Sequence, residues 1–333
     1  MSTKKDKFTE KDRFYMNLAI NLAKNQKGLT GINPAVGCVI VKNEKIISYG
    51  VTDVNGRPHA ETIALNKKKK NELIGSTVYL TLEPCSHYGK TPPCTRALAE
   101  SKIKKVIYSI EDPDIRSFNK AKKILRSKKI ITKSGLLSKE LNNFYKDYIY
   151  IKKNKFPYII GKLACSSNFY ILKNNSYITN EYSRKVSHLL RFENQGILTS
   201  YKTINSDNPR LTCRLNGLEK FSPIKLIIDK NLKVKLTSKV LNNKTNQKTL
   251  IFHSSNNNSK INCLKKKGVK LIYFKNEKNN YFNLKKLFKK IYDIGIHTLL
   301  IECGSSLTQN IISQNLFNEF YLFKSNKILY NKD

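Results

Sequence analysis

The sequence predicts an α/β protein with two domains. The chain has 333 residues, which is long enough to bury two hydrophobic cores. Short β-branched runs alternate with longer segments in which apolar residues recur every three or four positions. Such alternation is typical of mostly parallel sheets covered by helices. We place the domains at residues 1–150 and 155–333, because lysines and aromatic residues gather just before Pro157.

The first half of the chain begins with a predicted helix. Phe14, Leu18 and Leu22 recur at helical spacing, and Thr9 with Asp12 forms a candidate capping pair. The other elements predicted before residue 111 are strands 36–41 and 45–51 joined by a turn at 43–44, a helix from 59 to about 69, strands 77–82 and 105–110, and a helix starting near 93.

The second half repeats the strand–helix alternation. Its predicted strands are 158–164, 196–200, 224–229, 249–253, 271–274 and 298–302, and its predicted helices are 181–193, 284–292 and one that starts at 304–307. We therefore expect a second, mostly parallel sheet.

Charge and cysteine content limit the classes of function. Lys+Arg number 62 against 24 Asp+Glu, a net charge of +38, so nucleic-acid binding is one interpretation. We favour solvated lysine-rich faces and no specific nucleic acid, because the lysines are scattered; the positive field would attract phosphorylated substrates.

The seven cysteines show no disulfide pattern, which predicts a reducing cytoplasm. We predict neither a membrane span nor a secretory signal.

The most specific motif is His59-Ala60-Glu61 followed by Pro84-Cys85 and Cys94. One imidazole and two thiolates suit Zn²⁺, and three protein ligands leave a fourth position for water, as in catalytic sites. Glu61 would carry a proton between that water and a leaving amine. This pattern is the signature of zinc deaminases that act on nucleobase-like rings. A structural zinc site is the alternative, with His87 as the fourth ligand.

Two strings make the motif more specific. Asn33-Pro34-Ala35-Val36-Gly37-Cys38 and Glu83-Pro84-Cys85-Ser86-His87-Tyr88-Gly89-Lys90-Thr91-Pro92-Pro93-Cys94 closely resemble the deaminase half of the RibD family of riboflavin biosynthesis. The resemblance implies a cytidine-deaminase-like αβα domain and, after it, a dihydrofolate-reductase-like αβ domain. It also implies zinc hydrolytic deamination of 2,5-diamino-6-(5-phosphoribosylamino)pyrimidin-4-one, with Asn33 holding the ring. The family's D-P-N-P and glycines are replaced by Asp112-Pro113-Asp114-Ile115-Arg116-Ser117-Phe118.

The second half is similar to the family's reductase half, in which NADPH reduces the ribosyl side chain to ribityl. The resemblance implies substrate-binding roles for Arg191, Leu211, Arg214 and Glu302. It implies cofactor-binding roles for Ala164, Tyr177, Thr203, Asp207, Gly304, Ser305 and Ser306.

The reductase half departs from the family's pattern at three places. The family's A-S-L-D-G is Cys165-Ser166-Ser167-Asn168-Phe169, Tyr177 stands where a Trp is expected, and family chains usually run further at the C-terminus. These departures leave open a reductase domain that is truncated or degraded.

Three functions therefore compete. A bifunctional deaminase–reductase with Zn²⁺ and NADPH is the first, and a monofunctional deaminase with an inactive, structural C-terminal domain is the second. A nucleic-acid deaminase is the third, but the eight residues between Cys85 and Cys94 argue against it, since P-C-x-x-C is usual there. A phosphorylated pyrimidine is the expected substrate, and a homo-oligomer is compatible with the sequence.

Overall fold

The fold was analysed in a computed structural model that describes residues 7–171, 178–242, 248–275 and 282–329. The chain divides after Asn154 into two compact units. Within the described ranges, no helix combines the length and apolarity required to cross a bilayer.

Unit 1 is a mixed sheet with helices on both faces. Its strands are β1 Gly37–Lys42, β2 Lys45–Val51, β3 Thr77–Leu82, β4 Lys105–Ile110 and β5 Ile131–Ser134, in the order β2-β1-β3-β4-β5. Its helices are α1 Glu10–Gln26, α2 Ala60–Asn66, α3 Lys70–Leu73, α4 Cys94–Glu100, α5 Ala121–Ser127, α6 Ser138–Phe144 and α7 Lys146–Asn154. Strand β1 is antiparallel to β2 and β3, whereas β3, β4 and β5 are parallel.

Local sequence explains the first elements. The Asp12 N–H donates to Thr9 Oγ1 at 3.1 Å and the Thr9 N–H donates to Asp12 Oδ2 at 3.0 Å, so the predicted capping pair is present. Asn43 and Glu44 both adopt positive φ, at 48° and 62°, which suits the tight turn between β1 and β2. The predicted helix 59–69 is shorter than expected, because it breaks after Asn66 and resumes at Lys70.

Two glycines fix the helices of unit 1 close to the sheet. A Cβ on Gly37 would lie 1.9 Å from the Ala19 carbonyl oxygen in α1, and a Cβ on Gly50 would lie 2.3 Å from the Ala60 carbonyl oxygen. Gly50 pairs with Cys38, the neighbour of Gly37, and side chains alternate between the faces of a strand. Helices α1 and α2 therefore cover opposite faces, which is the αβα arrangement.

Unit 2 is a parallel sheet. Its strands are β6 Tyr158–Cys165, β7 Gly196–Ser200, β8 Ile224–Ile228, β9 Thr249–His253, β10 Lys270–Tyr273, β11 Thr298–Ile301 and β12 Glu319–Lys324, in the order β10-β9-β8-β7-β11-β6-β12. Its helices are α8 Glu181–Glu193, α9 Tyr201–Asp207, α10 Asn258–Lys266, α11 Leu284–Asp293 and α12 Ser305–Ser313. Apolar clusters that include Phe252, Phe288 and Val234 form the core.

The sequence prediction missed three elements of unit 2, namely α9, α10 and β12. Strand β12 was missed because it mixes Glu319 and Lys324 with aromatic residues and lies at the edge of the sheet, where burial alternates. It pairs in parallel with β6 over residues 319–324. The late part of the chain therefore contributes a strand that the sequence did not reveal.

The close approach at Gly37 generates a stability prediction. We expect Gly37→Ala to lower the free energy of unfolding by about 1–3 kcal/mol, because the methyl group must displace the α1 backbone. Gly89→Ala is the matched control, since its Cβ would come no closer than 3.5 Å to Arg57. Thermal unfolding followed by circular dichroism compares the two variants. Equal midpoints would contradict the close packing of α1 on β1.

Candidate active sites

Three elements of unit 1 bring the predicted zinc ligands together. His59 is the N-cap of α2, Cys85 follows β3, and Cys94 is the first residue of α4. The ligand atoms of these three residues all lie within 4.8 Å of one another. Residues far apart in sequence thus meet at one edge of the sheet.

The distances suit a tetrahedral metal ion. His59 Nδ1 lies 3.3 Å from Cys94 Sγ and 3.6 Å from Cys85 Sγ. Zn–N and Zn–S bonds at a tetrahedral angle separate the two ligand atoms by about 3.6 Å. The donor set therefore fits Zn²⁺ through Nδ1 of the imidazole and the two sulfur atoms.

The two thiols differ in their ease of ionisation. The Cys94 thiol, and then the His59 imidazole, lower the pKa of Cys85 to about 4, whereas the hydrogen bond to Cys85 and burial raise the pKa of Cys94 well above its usual range. The Cys94 backbone N–H also donates to Cys85 Sγ at 3.3 Å. One thiolate is thus stabilised by protein groups alone, and metal binding would release the second proton.

Glu61 lies beside the ligands without belonging to their group. It is in the first turn of α2 and its side chain is buried, with 4% exposure. Burial, followed by the charge of Cys85, raises the pKa of Glu61 to about 7. A carboxyl group that is poised between its two protonation states suits proton transfer.

His87 does not join the metal-ligand group within the described residues. Its Nδ1 lies 2.8 Å from Ser117 Oγ, and the Ser86 N–H donates to the same oxygen at 3.2 Å. The structural zinc site, which needs four protein ligands, therefore lacks its fourth ligand. His87 instead connects the loop that carries Cys85 to the loop after β4.

The loop after β4 keeps its shape without glycine. The Glu83 carboxylate accepts backbone hydrogen bonds from Asp112, Asn119 and Ala121 at 3.0, 3.1 and 3.0 Å. Asn119 adopts a φ of 57°, a conformation that asparagine tolerates better than most residues. A buried carboxylate and an asparagine with positive φ thus hold this loop in a chain that has no glycine there.

Asn33 lies at the same edge as the zinc ligands, just before β1. Its Nδ2 donates to the Gly56 carbonyl at 3.2 Å, and a Cβ on Gly56 would lie 2.2 Å from that nitrogen. The Asn33 amide is therefore anchored to the turn that precedes His59.

Unit 2 contains a cavity of about 1180 Å³ at the carboxyl ends of its strands. Most of the predicted reductase residues line it: Ala164, Arg191, Thr203, Asp207, Leu211, Glu302, Gly304, Ser305 and Ser306. Arg214 is not among the lining residues, and Tyr177 lies outside the described residues. Lys162, which lies on β6, also contributes to the lining.

An ion pair organises one side of this cavity. Arg191 donates through Nε and Nη2 to the two Glu302 oxygens at 2.7 and 2.9 Å, and Lys162 Nζ lies 3.9 Å from Glu302. Burial opposes ionisation of Glu302, but the charges of Arg191 and Lys162 lower its pKa to about 2. The guanidinium of Arg191 therefore makes its bidentate contact with the buried Glu302 carboxylate rather than with a phosphate.

The other side of the cavity has features of a nucleotide site. Gly304 caps α12, and its N–H donates to Thr203 Oγ1 at 3.2 Å. Ser305 and Ser306 open the helix, where free backbone N–H groups favour an anionic group. This arrangement fits a phosphorylated cofactor such as NADPH.

The segment Asn168-Phe169, which stands where the family has Asp-Gly, still forms a turn. Phe169 occupies the position of the family's glycine and adopts a φ of 64°. Asn168 Nδ2 donates to the Leu329 carbonyl at 2.7 Å, and the Ser167 N–H donates to the Lys327 carbonyl at 2.8 Å. The turn is therefore tied to the segment that follows β12.

Together, the two sites and folds define a two-unit α/β enzyme that combines a zinc deaminase unit with a reductase unit. The family model described as the cytidine and deoxycytidylate deaminase zinc-binding region matches residues 9–110, and that of the RibD C-terminal domain matches residues 158–329. The chain belongs to the RibD family.

Relatives cover nearly the whole chain. The riboflavin biosynthesis protein RibD of Aquifex aeolicus is 36% identical over 96% of this chain and 88% of its own length. A structure of Acinetobacter baumannii RibD matches with 28% identity and a TM-score of 0.85, covering 97% of this chain and 88% of that one. The diaminohydroxyphosphoribosylaminopyrimidine deaminase / 5-amino-6-(5-phosphoribosylamino)uracil reductase of Thermotoga maritima matches with 29% identity and a TM-score of 0.83, covering 96% and 87%.

The ligand geometry generates a prediction about metal content. We expect wild-type protein to hold one Zn²⁺ per chain and Cys85→Ser to lose it, because a hydroxyl is a poor substitute for a thiolate ligand. Elemental analysis of the purified proteins measures this. Cys263→Ser is the matched control, since that cysteine is exposed in unit 2. His87→Ala should also keep its zinc, and equal zinc in wild type and Cys85→Ser would contradict the assignment.

Proposed function

We propose that this chain carries out two consecutive reactions of riboflavin biosynthesis. Unit 1 deaminates 2,5-diamino-6-(5-phosphoribosylamino)pyrimidin-4-one hydrolytically, and unit 2 reduces the ribosyl side chain of the product to ribityl with NADPH. The observation that carries the proposal is that one chain of the RibD family combines the His59, Cys85 and Cys94 ligand group with a second cavity built around Glu302.

In the deaminase site, His59, Cys85 and Cys94 would hold Zn²⁺, and Glu61 would move the proton. When bound, zinc supplies a Lewis acid that makes water nucleophilic at neutral pH. The Glu61 carboxylate accepts a proton from the attacking water and delivers it to the exocyclic amine, so that the C–N bond breaks and ammonia leaves. Asn33 holds the pyrimidine ring by donating and accepting hydrogen bonds through its amide.

In the reductase site, the ionised Glu302 accepts hydrogen bonds from hydroxyl groups of the opened ribose. Arg191 and Lys162 keep this carboxylate charged and fixed in place. When bound, NADPH supplies the hydride. Gly304, Ser305 and Ser306 hold a cofactor phosphate through backbone N–H groups, and Thr203 fixes Gly304.

A monofunctional deaminase is not favoured. A unit that is only structural has no need for a buried Arg–Glu–Lys cluster, which costs desolvation energy, beside a large cavity. The turn at Asn168-Phe169 also retains a left-handed residue in place of the family's glycine. The absence of a specific nucleic-acid partner and the formation of a homo-oligomer stay predictions.

The first activity test concerns Glu61. We expect Glu61→Gln to reduce ammonia release by about 10²–10⁴-fold while keeping zinc, because Gln is nearly isosteric but cannot carry the proton. NADPH oxidation with the deaminated substrate should be unchanged. Glu10→Gln, on the exposed surface of α1, is the matched control. Ammonia release within a few-fold of wild type, with zinc present, would exclude Glu61 as the proton carrier.

The second activity test concerns Glu302. We expect Glu302→Gln to lower NADPH oxidation by about 100-fold or more, because the substrate loses an anionic acceptor and Arg191 is left buried without an opposite charge. Ammonia release should persist, since the deaminase site lies in unit 1. Glu219→Gln is the control, because Glu219 is exposed in the same unit. If the wild type releases ammonia yet never oxidises NADPH, the chain is a monofunctional deaminase.

A further inference from the structure

His188 forms contacts that neither the sequence nor the family resemblance assigned. It lies in α8, one turn before Arg191, and is half-buried. Its Nδ1 lies 3.3 Å from the backbone N of Arg214 and 3.4 Å from Nη1 of Arg191. One imidazole nitrogen therefore faces both arginines to which the resemblance gives substrate roles.

The chemistry of the partners fixes the protonation of the ring. A backbone N–H and a guanidinium N–H can only donate hydrogen bonds. His188 Nδ1 must then be an acceptor, which leaves the ring neutral with its proton on Nε2. In a protonated ring, Nδ1 would also carry an N–H, and this N–H would point at the N–H groups of Arg191 and Arg214.

The charges around the ring favour the same state. Burial, and then the positive charges of Arg191 and Arg214, lower the pKa of His188 to about 4. The Glu302 carboxylate and a backbone hydrogen bond with Thr212 act in the opposite direction but are weaker. The ring thus remains neutral over the pH range in which an ordinary histidine titrates.

These contacts hold a strained loop. Leu211, which lines the cavity, adopts a φ of 55° that a leucine rarely takes. The residues after it are anchored on two sides: Arg191 Nη1 donates to the Thr212 carbonyl at 3.2 Å, and the Cys213 N–H donates to Ser222 Oγ at 2.9 Å. His188 adds the anchor at Arg214, the last residue of the loop 211–214.

We propose that His188 is a positioning residue of the reductase site, which keeps the loop 211–214 in register with Arg191 and Glu302. As an acceptor for the Arg191 guanidinium and the Arg214 backbone N–H, it fixes the loop that carries Leu211, whose side chain lines the cavity where the phosphoribosyl substrate would bind. In the described residues, no hydrogen bond joins His188 to Thr203 or Gly304 on the NADPH side of the cavity. This proposal deepens the reductase assignment and rests on it for the identity of the ligand.

The binding test compares His188→Leu with His188→Asn in the full chain. Asn can place an amide oxygen near the position of Nδ1, whereas Leu has no acceptor. We expect Leu to weaken binding of 5-amino-6-(5-phosphoribosylamino)uracil by about 10-fold or more and Asn by no more than about 3-fold. Calorimetry measures this affinity, and NADPH affinity should stay within about 2-fold in both variants. Equal weakening of substrate binding by Leu and Asn would overturn the proposal, as would equal loss of NADPH affinity.

A second readout does not depend on activity or on the folding of the Leu variant. Nitrogen-15 NMR of histidine-labelled wild type reports which ring nitrogen is protonated, and the signal missing from His188→Asn identifies His188. We expect a neutral ring with the proton on Nε2 from about pH 5 to about pH 8. A ring protonated near pH 6, or a proton on Nδ1, would overturn the proposal. Wild type that shows the expected ring state and binds the substrate but never oxidises NADPH would contradict the reductase function, not the role of His188.

Discussion

Both sites depend on one constraint, which is that parallel strands end at a common edge where the chain must turn toward a helix. In unit 1, β2, β3 and β4 run in one direction, and β1 starts at the edge where they end. This edge collects His59, Cys85 and Asn33 although up to 52 positions of sequence separate them. In unit 2, the chain leaving β6, β7, β8 and β11 lines the cavity for the same reason. Ligands of open α/β sheets bind at such edges.

The two key glutamates show how surroundings give one residue type opposite properties. Glu61 is buried beside a thiolate, and burial together with that negative charge raises its pKa. Glu302 is also buried, but Arg191 and Lys162 outweigh the cost of burial and lower its pKa. The first carboxyl group can exchange a proton near neutral pH, whereas the second stays an acceptor. The same type of side chain is thus suited to proton transfer at position 61 and to accepting hydrogen bonds from a fixed position at position 302, because the surrounding charges differ.

Local signals predicted what local sequence determines. The capping pair at Thr9 and Asp12, the turn at Asn43-Glu44 and the strands 77–82, 105–110, 196–200 and 249–253 follow from short patterns, and the zinc ligands follow from a motif. The rest depends on tertiary contacts. No pattern reveals that Glu83 holds the loop after β4, that Phe169 takes a left-handed φ, or that His188 faces two arginines; only the i, i+3 spacing of His188 and Arg191 hinted at a contact. The short edge strand β12 was missed because its burial alternates and its ends are charged.

The position of β6 in the second sheet has a consequence for synthesis of the protein. Among the strands of unit 2 that the structure describes, it is the first to be made, yet its neighbours β11 and β12 are the last two. During translation β6 therefore emerges with both edges unpaired. More than a hundred further residues must be made before either of its partner strands exists. Unit 1 ends at Asn154, so its whole sequence has been made before β6, and domains that are made first generally fold first. The nascent reductase half thus passes through a period in which a hydrophobic strand is exposed to chaperones and to other chains.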